Sequence, residues 1–402
     1  MQKRFGPHIV IAFFAFISLG LPDAVTGVAW PSLEHDFRIH AGYFGLILAG
    51  LSTGYCVSSM AAGKLLHRWG VAALLSVSCL LVSIAMAADA FANRWWLFVI
   101  NAVVWGLGSG AIDTGLNHYA AKHFPPRIMN WLHACYSFGA AIGPVAMSAA
   151  ILQFGSWRWG YAFVAAAMLS MMLTFLATRR QWQEAEQANP ATTEERSASG
   201  PQTSNPRESI ALHIAIFFVY TGMEALIGQW SYSLLTQSRG FAPAWATFWV
   251  SSYFFSIGAG RVAAGFIVNR VGVDRLVRCS IFAAVVGASL LMSLSSTGAE
   301  GPALILIGWG LAPVFPCLMS RTPERLGSES AAHAIGFQIA AAIIGVSAVP
   351  GLAGWLVVRF GMEAVAVLAV LDVVLIMAVH ERMLKLDRRS IAIEPDSSSP
   401  DA

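Results

Sequence analysis

Apolar runs long enough to cross a lipid bilayer recur twelve times along this chain, and no other feature restricts its fold as much. A span needs about 20 such residues, because every backbone N–H and C=O in hydrocarbon has to be paired within its own helix. The runs fall near 7–31, 41–63, 71–91, 95–121, 129–153 and 158–178, then 209–236, 241–267, 274–295, 301–321, 332–357 and 361–381. Only 12% of the residues are charged and 56% are hydrophobic, whereas soluble domains carry about 25% charged residues. The expected fold is an all-α integral membrane bundle of 12 transmembrane helices.

Polar sequence divides the runs into two sixes. From Gln181 to Ser209 apolar periodicity is missing and Glu, Ser, Thr, Pro and Asn dominate, so 181–208 is expected to be a flexible linker. It joins a bundle at 1–180 to a second at 209–386, with a tail at 387–402. With the N-terminus inside, nineteen of the 25 Lys and Arg residues lie in inside segments and five outside, leaving Arg261 at a helix end. The positive-inside rule then places both termini in the cytoplasm, across a plasma (bacterial inner) membrane. MQKRFGPH leads into the first run without a small-residue cleavage site and reads as the start of a span, not a removable signal.

Several functions are excluded early. The five cysteines lie in apolar runs or at their ends without a CxxC pair, which indicates neither a disulfide frame nor a metal site. Gly106-x-Gly108-x-x-Ala111 and Gly258-x-Gly260-x-x-Ala263 resemble a dinucleotide fingerprint only in spelling, because they lie inside apolar helices and not in a strand-to-helix turn. No Gly-Lys-[Ser/Thr] phosphate loop is present. An enzyme, a bound cofactor and a nucleic-acid partner are all unexpected; the partners expected are the bilayer, a small solute and protons, for a monomer.

Laying the chain over itself at an offset of 202 reveals a repeat. Gly63-Lys-Leu-Leu-His67-Arg68-Trp-Gly70 falls on Gly265-Phe-Ile-Val-Asn269-Arg270-Val-Gly272, Gly20 on Gly222, Gly143 on Gly345, and Tyr136 on Gln338. An even number of spans separates the copies, so the halves run the same way and are related by an axis along the membrane normal.

Polar residues inside the spans are the candidate site. A charged side chain at mid-helix costs about 2.5 to 3.5 kcal/mol on insertion scales, and such residues face a bundle interior or a water-filled path. Asp113 and Asn117 are four apart on one helix face, with Gly106 and Gly110 keeping the neighbouring surface thin. His133, with Tyr136 and Ser137 on its face, offers a group that titrates near neutral pH. Asp23 follows Pro22 in the first span, where the proline is expected to break the helix and expose carbonyls. Glu224 stands one position out of register with Asp23 on the corresponding seventh span, with Gln229 and Trp230 beyond it. Gln338 is expected to face the central axis with Tyr136. Trp105, Trp230 and Trp309 offer flat apolar faces to a ring-shaped solute. These residues divide into proton carriers (Asp113, Glu224, His133) and solute ligands (Asp23, Asn117, Tyr136, Gln229, Trp230, Gln338).

Two six-helix halves, a polar linker and a G-x-x-x-[DHN]-R-x-G turn after spans two and eight together resemble the major facilitator superfamily over about residues 7–381. The resemblance implies a central cavity reached alternately from each side, and a cytoplasmic gate at Gly63, Arg68, Gly70, Gly265, Arg270 and Gly272. Here His67 and Asn269 stand where an acid is usual.

Asp113-Thr-Gly-Leu-Asn117, Asn130-Trp-Leu-His133-Ala with Ser137-Phe-Gly-Ala, Tyr220-Thr-Gly-Met-Glu224 and Val314-Phe315-Pro316 are similar to the fucose permease type of sugar:proton symporters and to related permeases of unassigned substrate. This likeness implies proton-coupled uptake of a sugar-like solute, with Asp113 at that family's acidic cavity position. Asp23 lies about one turn from the family's first-span acid, and Tyr136 replaces its fifth-span asparagine. Gly139-Ala-Ala-Ile-Gly143-Pro144 is similar to part of the drug:proton antiporter signature, which leaves efflux as the alternative.

Overall fold

The structure is a computed structural model; it describes residues 8–124, 126–188, 206–293, 298–326 and 328–393. Twelve helical spans carry the apolar runs. The first six are Ile9–Phe37, Ala41–Trp69, Val71–Ala90, Trp95–Ala120, Trp131–Phe154 and Trp157–Ala177. The second six are Arg207–Ser238, Pro243–Val271, Val273–Ser293, Glu300–Thr322, Ala334–Phe360 and Ala364–Leu386. No β-strand occurs among the described residues.

Several helices outrun the hydropathy that announced them. The first continues through Glu34 and Asp36 to Phe37, because a backbone already in register keeps its hydrogen bonds while its polar side chains reach the membrane edge. The segment read as a linker begins with a helix, Arg179–Ala188, whose Trp182 is buried against Tyr119 and Phe175. Its last residues already belong to a helix starting at Pro206, and the helix opened at Ala364 runs on to Ile393, into the expected tail. Residues 189–205 and 394–402 lie outside the described residues.

Two spans are broken. In the first, helix stops at Gly20 and restarts at Val25, with Pro22 in the intervening turn, as the missing proline N–H requires. In the tenth, Ala312 and Pro313 separate Glu300–Leu311 from Val314–Leu326. That second break was not anticipated from the sequence.

The 202-residue repeat is carried into the packing. Gly106 presses on the backbone carbonyl of Leu51, and Gly308 presses on that of Tyr253. Gly108 meets the Ser78 carbonyl, and Gly310 meets that of Ser280. Each pair is its counterpart moved along by 202, so the halves use glycine to seat the fourth span on the second and third in the same way. Small residues are what let backbones approach in lipid, where no hydrophobic force drives helices together.

The two faces of the bundle differ. On the face opposite the chain termini, Gly45 lies against Gly351, Gly354 against the Ala41 carbonyl, and Gly27 against the Gln229 backbone, so the two halves touch. On the terminal face, Gly63, Gly265 and Gly336 have open space around them.

Candidate functional site

Three carboxylates converge between the halves, each holding a tyrosine hydroxyl. Gly106 and Gly110 bring span four onto span two, and the approach lets Tyr55 donate to Asp113 Oδ2 at 2.5 Å. Asn117, one turn along, donates its Nδ2 to Asp113 Oδ1 at 2.7 Å. Gly20 seats span one on the backbone of Tyr136 in span five, and Tyr136 reaches past the helix break to Asp23 Oδ2 at 2.6 Å. In span seven, Tyr220 donates to Glu224 Oε2 at 2.5 Å from four residues away. Hydrogen bonds to ionised oxygens are about twice as strong as neutral ones, so each tyrosine is a firm anchor.

Two of the three anchors are joined through one helix. Span five carries both Tyr136, which holds Asp23, and Ser137, which bonds the arginine beside Glu224. Between the halves stands Arg261, whose Nη1 donates to Ser137 Oγ of span five at 3.0 Å. Its Nη2 lies 3.5 and 3.4 Å from the two oxygens of Glu224. Tyr253 donates to the Glu224 backbone carbonyl at 2.9 Å.

Arg261 is a correction to its sequence-based placement at a helix end. It lies ten residues before the last residue of span eight, Pro243–Val271, roughly 15 Å along a helix rising 1.5 Å per residue. The same rule that singled out the intramembrane acids applied to it. Tyr55 and Tyr253 went unnamed for a different reason, since tyrosine in an apolar run costs little and gives no signal.

The other expected ligands are dispersed. Gln229 gives its Nε2 to the Asp23 backbone carbonyl at 2.7 Å, satisfying a group that the proline break frees. Trp230 is fully buried, donates to the Pro350 carbonyl at 3.0 Å and packs edge-on to Trp30 and Phe44, so it offers no face to a solute. It closes the face opposite the termini. Gln338 does not face the axis beside Tyr136; it is fully buried and its Nε2 donates to Thr322 Oγ1 at 3.0 Å within the second half. Trp105 is buried, and Trp309 is exposed on the bundle surface. His133 meets Phe16 edge-on at 5.4 Å.

At the terminal face, Gly70 (φ 75°) and Gly272 (φ 84°) make the two turns, in a region that favours glycine. Arg68 and Arg270 are exposed, with no ion-pair partner among the described residues, so the latch expected there is not engaged. The pairing nearest to it starts two residues after Gly272, where Asp274 accepts from Arg321 at 3.2 Å and Arg325 at 3.1 Å, all within the second half.

Comparison with known proteins places this geometry. An uncharacterised MFS-type transporter of Yersinia pestis is 23% identical over 309 residues, covering 76% of this chain and 78% of its own length. A hexuronate transporter of Bacillus subtilis (strain 168) is 25% identical over 247 residues, covering 59% of this chain and 58% of its own. A crystal structure of a bacterial homologue of the human lysosomal transporter Spinster, inward-facing and occupied, superposes with a TM-score of 0.74. It is 12% identical, covers 95% of this chain and 96% of that one, and at that identity shows the fold alone. A family model described as Major Facilitator Superfamily matches residues 11–210 and 212–398.

Proposed function

Because the chain belongs to the Major Facilitator Superfamily, a family of membrane transporters and not of enzymes, we propose that it is a proton-coupled importer of a small polar, sugar-like solute. The observation that carries this reading is the set of three tyrosine-anchored carboxylates at the seam of two pseudo-symmetric halves. The halves touch through small residues on the face opposite the termini, and Gly63, Gly265 and Gly336 on the terminal face have open space around them, an asymmetry that suits alternating access.

With the termini inside the cell, the face closed by Gly27, Gly45 and Gly354 is the outer one, and solute leaves by the terminal face. Asp113 and Glu224 carry the proton. Closing the halves over an ionised carboxylate strips it of water at a cost of several kcal/mol, and a proton taken up from the acidic side removes that charge. Loaded and protonated, the halves rock; empty and ionised, they resist closing. Support for a sugar-like solute comes from the fucose-permease motifs around Asp113 and Glu224 and from the hexuronate transporter among the relatives.

Uptake into proteoliposomes of labelled hexoses, deoxyhexoses, sugar acids and one cationic dye tests the proposal. An inward proton gradient should drive accumulation of one solute, and Asp113→Asn or Glu224→Gln should reduce it to simple equilibration. Undiminished gradient-driven accumulation by both variants would remove these acids from the mechanism. Movement of the dye alone, against the proton gradient, would make the chain an exporter.

A further inference from the structure

We infer that the solute is a small carboxylate, and that its carboxylate group binds Arg261 in competition with Glu224. The inference rests on the importer reading above and deepens it.

The first argument is that Arg261 is loosely held. A guanidinium has five N–H donors and stays charged at any pH the cell meets. Two other Arg–Glu pairs in the chain are close and fork-to-fork. Arg278 donates to Glu381 at 2.5 and 2.8 Å, and Arg239 donates to Glu363 at 3.2 and 2.7 Å. Arg261 instead offers one nitrogen to both oxygens of Glu224 at 3.5 and 3.4 Å, outside the 2.7–2.9 Å usual for such bonds. Its Nε is buried with no hydrogen-bond partner among the described residues, although the side chain as a whole keeps 11% exposure. Glu224 spends its close bond on Tyr220.

The second argument concerns the shape of the missing partner. The unpartnered Nε and the loosely bonded Nη2 lie on one edge of the guanidinium, and that edge fits a planar acceptor with two oxygens, which a carboxylate supplies and a sugar hydroxyl does not. The third concerns charge. Asp23, Asp113 and Glu224 already crowd the seam, and the groups bonded to Arg261 or to its partner Glu224 are Ser137, Tyr220 and Tyr253, none of them a second cation. An added anion is tolerated when one acid gives up its charge. A proton taken by the Glu224 carboxylate releases Arg261 to the incoming carboxylate, so the seam carries the same net charge before and after. One proton then enters with each monocarboxylate, and the movement is electroneutral.

The fourth argument is position. Arg261 belongs to the second half and bonds Ser137 of the first. A carboxylate that draws the guanidinium away loosens a contact between the halves, so occupancy of the site is communicated to the element that rocks.

The test uses matched pairs in proteoliposomes: glucuronate against glucose, and gluconate against sorbitol, each with an inward proton gradient. The inference expects an acid to accumulate and its neutral partner not to, without net current. Arg261→Gln should weaken half-saturation for that acid about a hundredfold, the loss expected for a bidentate charged pair. Arg261→Lys, which keeps the charge without the fork, should recover part of it. Glu224→Gln should lose gradient-driven accumulation yet exchange the acid across the membrane with tighter half-saturation, its competitor for Arg261 being gone. That variant decides the matter even if Arg261→Gln fails to fold. Accumulation of a neutral partner alone would overturn the carboxylate assignment and leave the importer standing. Weaker acid exchange by Glu224→Gln would overturn the competition. Movement of only a cationic dye, against the proton gradient, would overturn both.

Discussion

The Arg239–Glu363 and Arg261–Glu224 pairs differ in what surrounds them. Arg239 is almost wholly buried beside a half-exposed Glu363 outside the spans, and its guanidinium holds that carboxyl below its usual value near 4.5. A carboxylate with a lowered pKa contributes stability that is complete above the unfolded value and is lost as pH falls through the folded one. Glu363→Gln should therefore lower thermal stability in detergent at pH 7 by about 1 kcal/mol, discounted for the exposure of the acid. The gap between wild type and variant should narrow below pH 4.5; an equal gap at pH 7 and pH 3.5 would show that the pair contributes nothing through charge. Arg261 answers to a different logic, because its partner Glu224 is an acid to which the proposed mechanism gives the proton.

At the level of helices, glycine position separates what holds each half together from what moves. Gly106 and Gly308 sit on neighbouring backbones, so an added Cβ there has nowhere to go. Gly106→Ala should cost about 1–3 kcal/mol of stability, the usual penalty of overpacking. Gly63→Ala, in open space on the terminal face, should change stability by less than about 0.5 kcal/mol. Thermal unfolding of the two purified variants separates them, and equal losses would contradict the packing described. The breaks in spans one and ten follow the same division. The turn between Gly20 and Val25 leaves the Asp23 carbonyl to Gln229 of the other half, so the helix break is itself a contact between halves.

The whole molecule is closed on the face opposite its termini. There Trp230 packs against Trp30 and Phe44, and Gln237 of the second half reaches Glu34 of the first at 3.4 Å. Fixing that contact should stop the cycle. In a cysteine-free background, Glu34→Cys with Gln237→Cys bridged by a short thiol crosslinker should abolish uptake, and reduction should restore it. Uptake that survives the bridge would mean that this face does not open during transport.

Much of the molecule follows from the order of its residues. Twelve apolar runs, their division into sixes and the 202-residue offset are properties of the chain, because a bilayer demands internally paired helices and a duplicated sequence packs its glycines twice in the same way. The acids at Asp23, Asp113 and Glu224 were legible for a related reason, since charge inside hydrocarbon is costly enough to stand out. Of their partners, Asn117 and Tyr136 were read as candidates, whereas the roles of Tyr55 and Tyr220 were not. Tyr55 and Tyr220 look like ordinary apolar-run residues until two helices meet or one helix turn is built. Gln338 and Trp230 look like cavity groups until Thr322 and Pro350 claim them. The seat of Arg261 between the halves, and its loose hold on Glu224, depend on how spans five, seven and eight are placed. Those distances are settled by contacts between helices far apart in sequence, and no local pattern of residues encodes them.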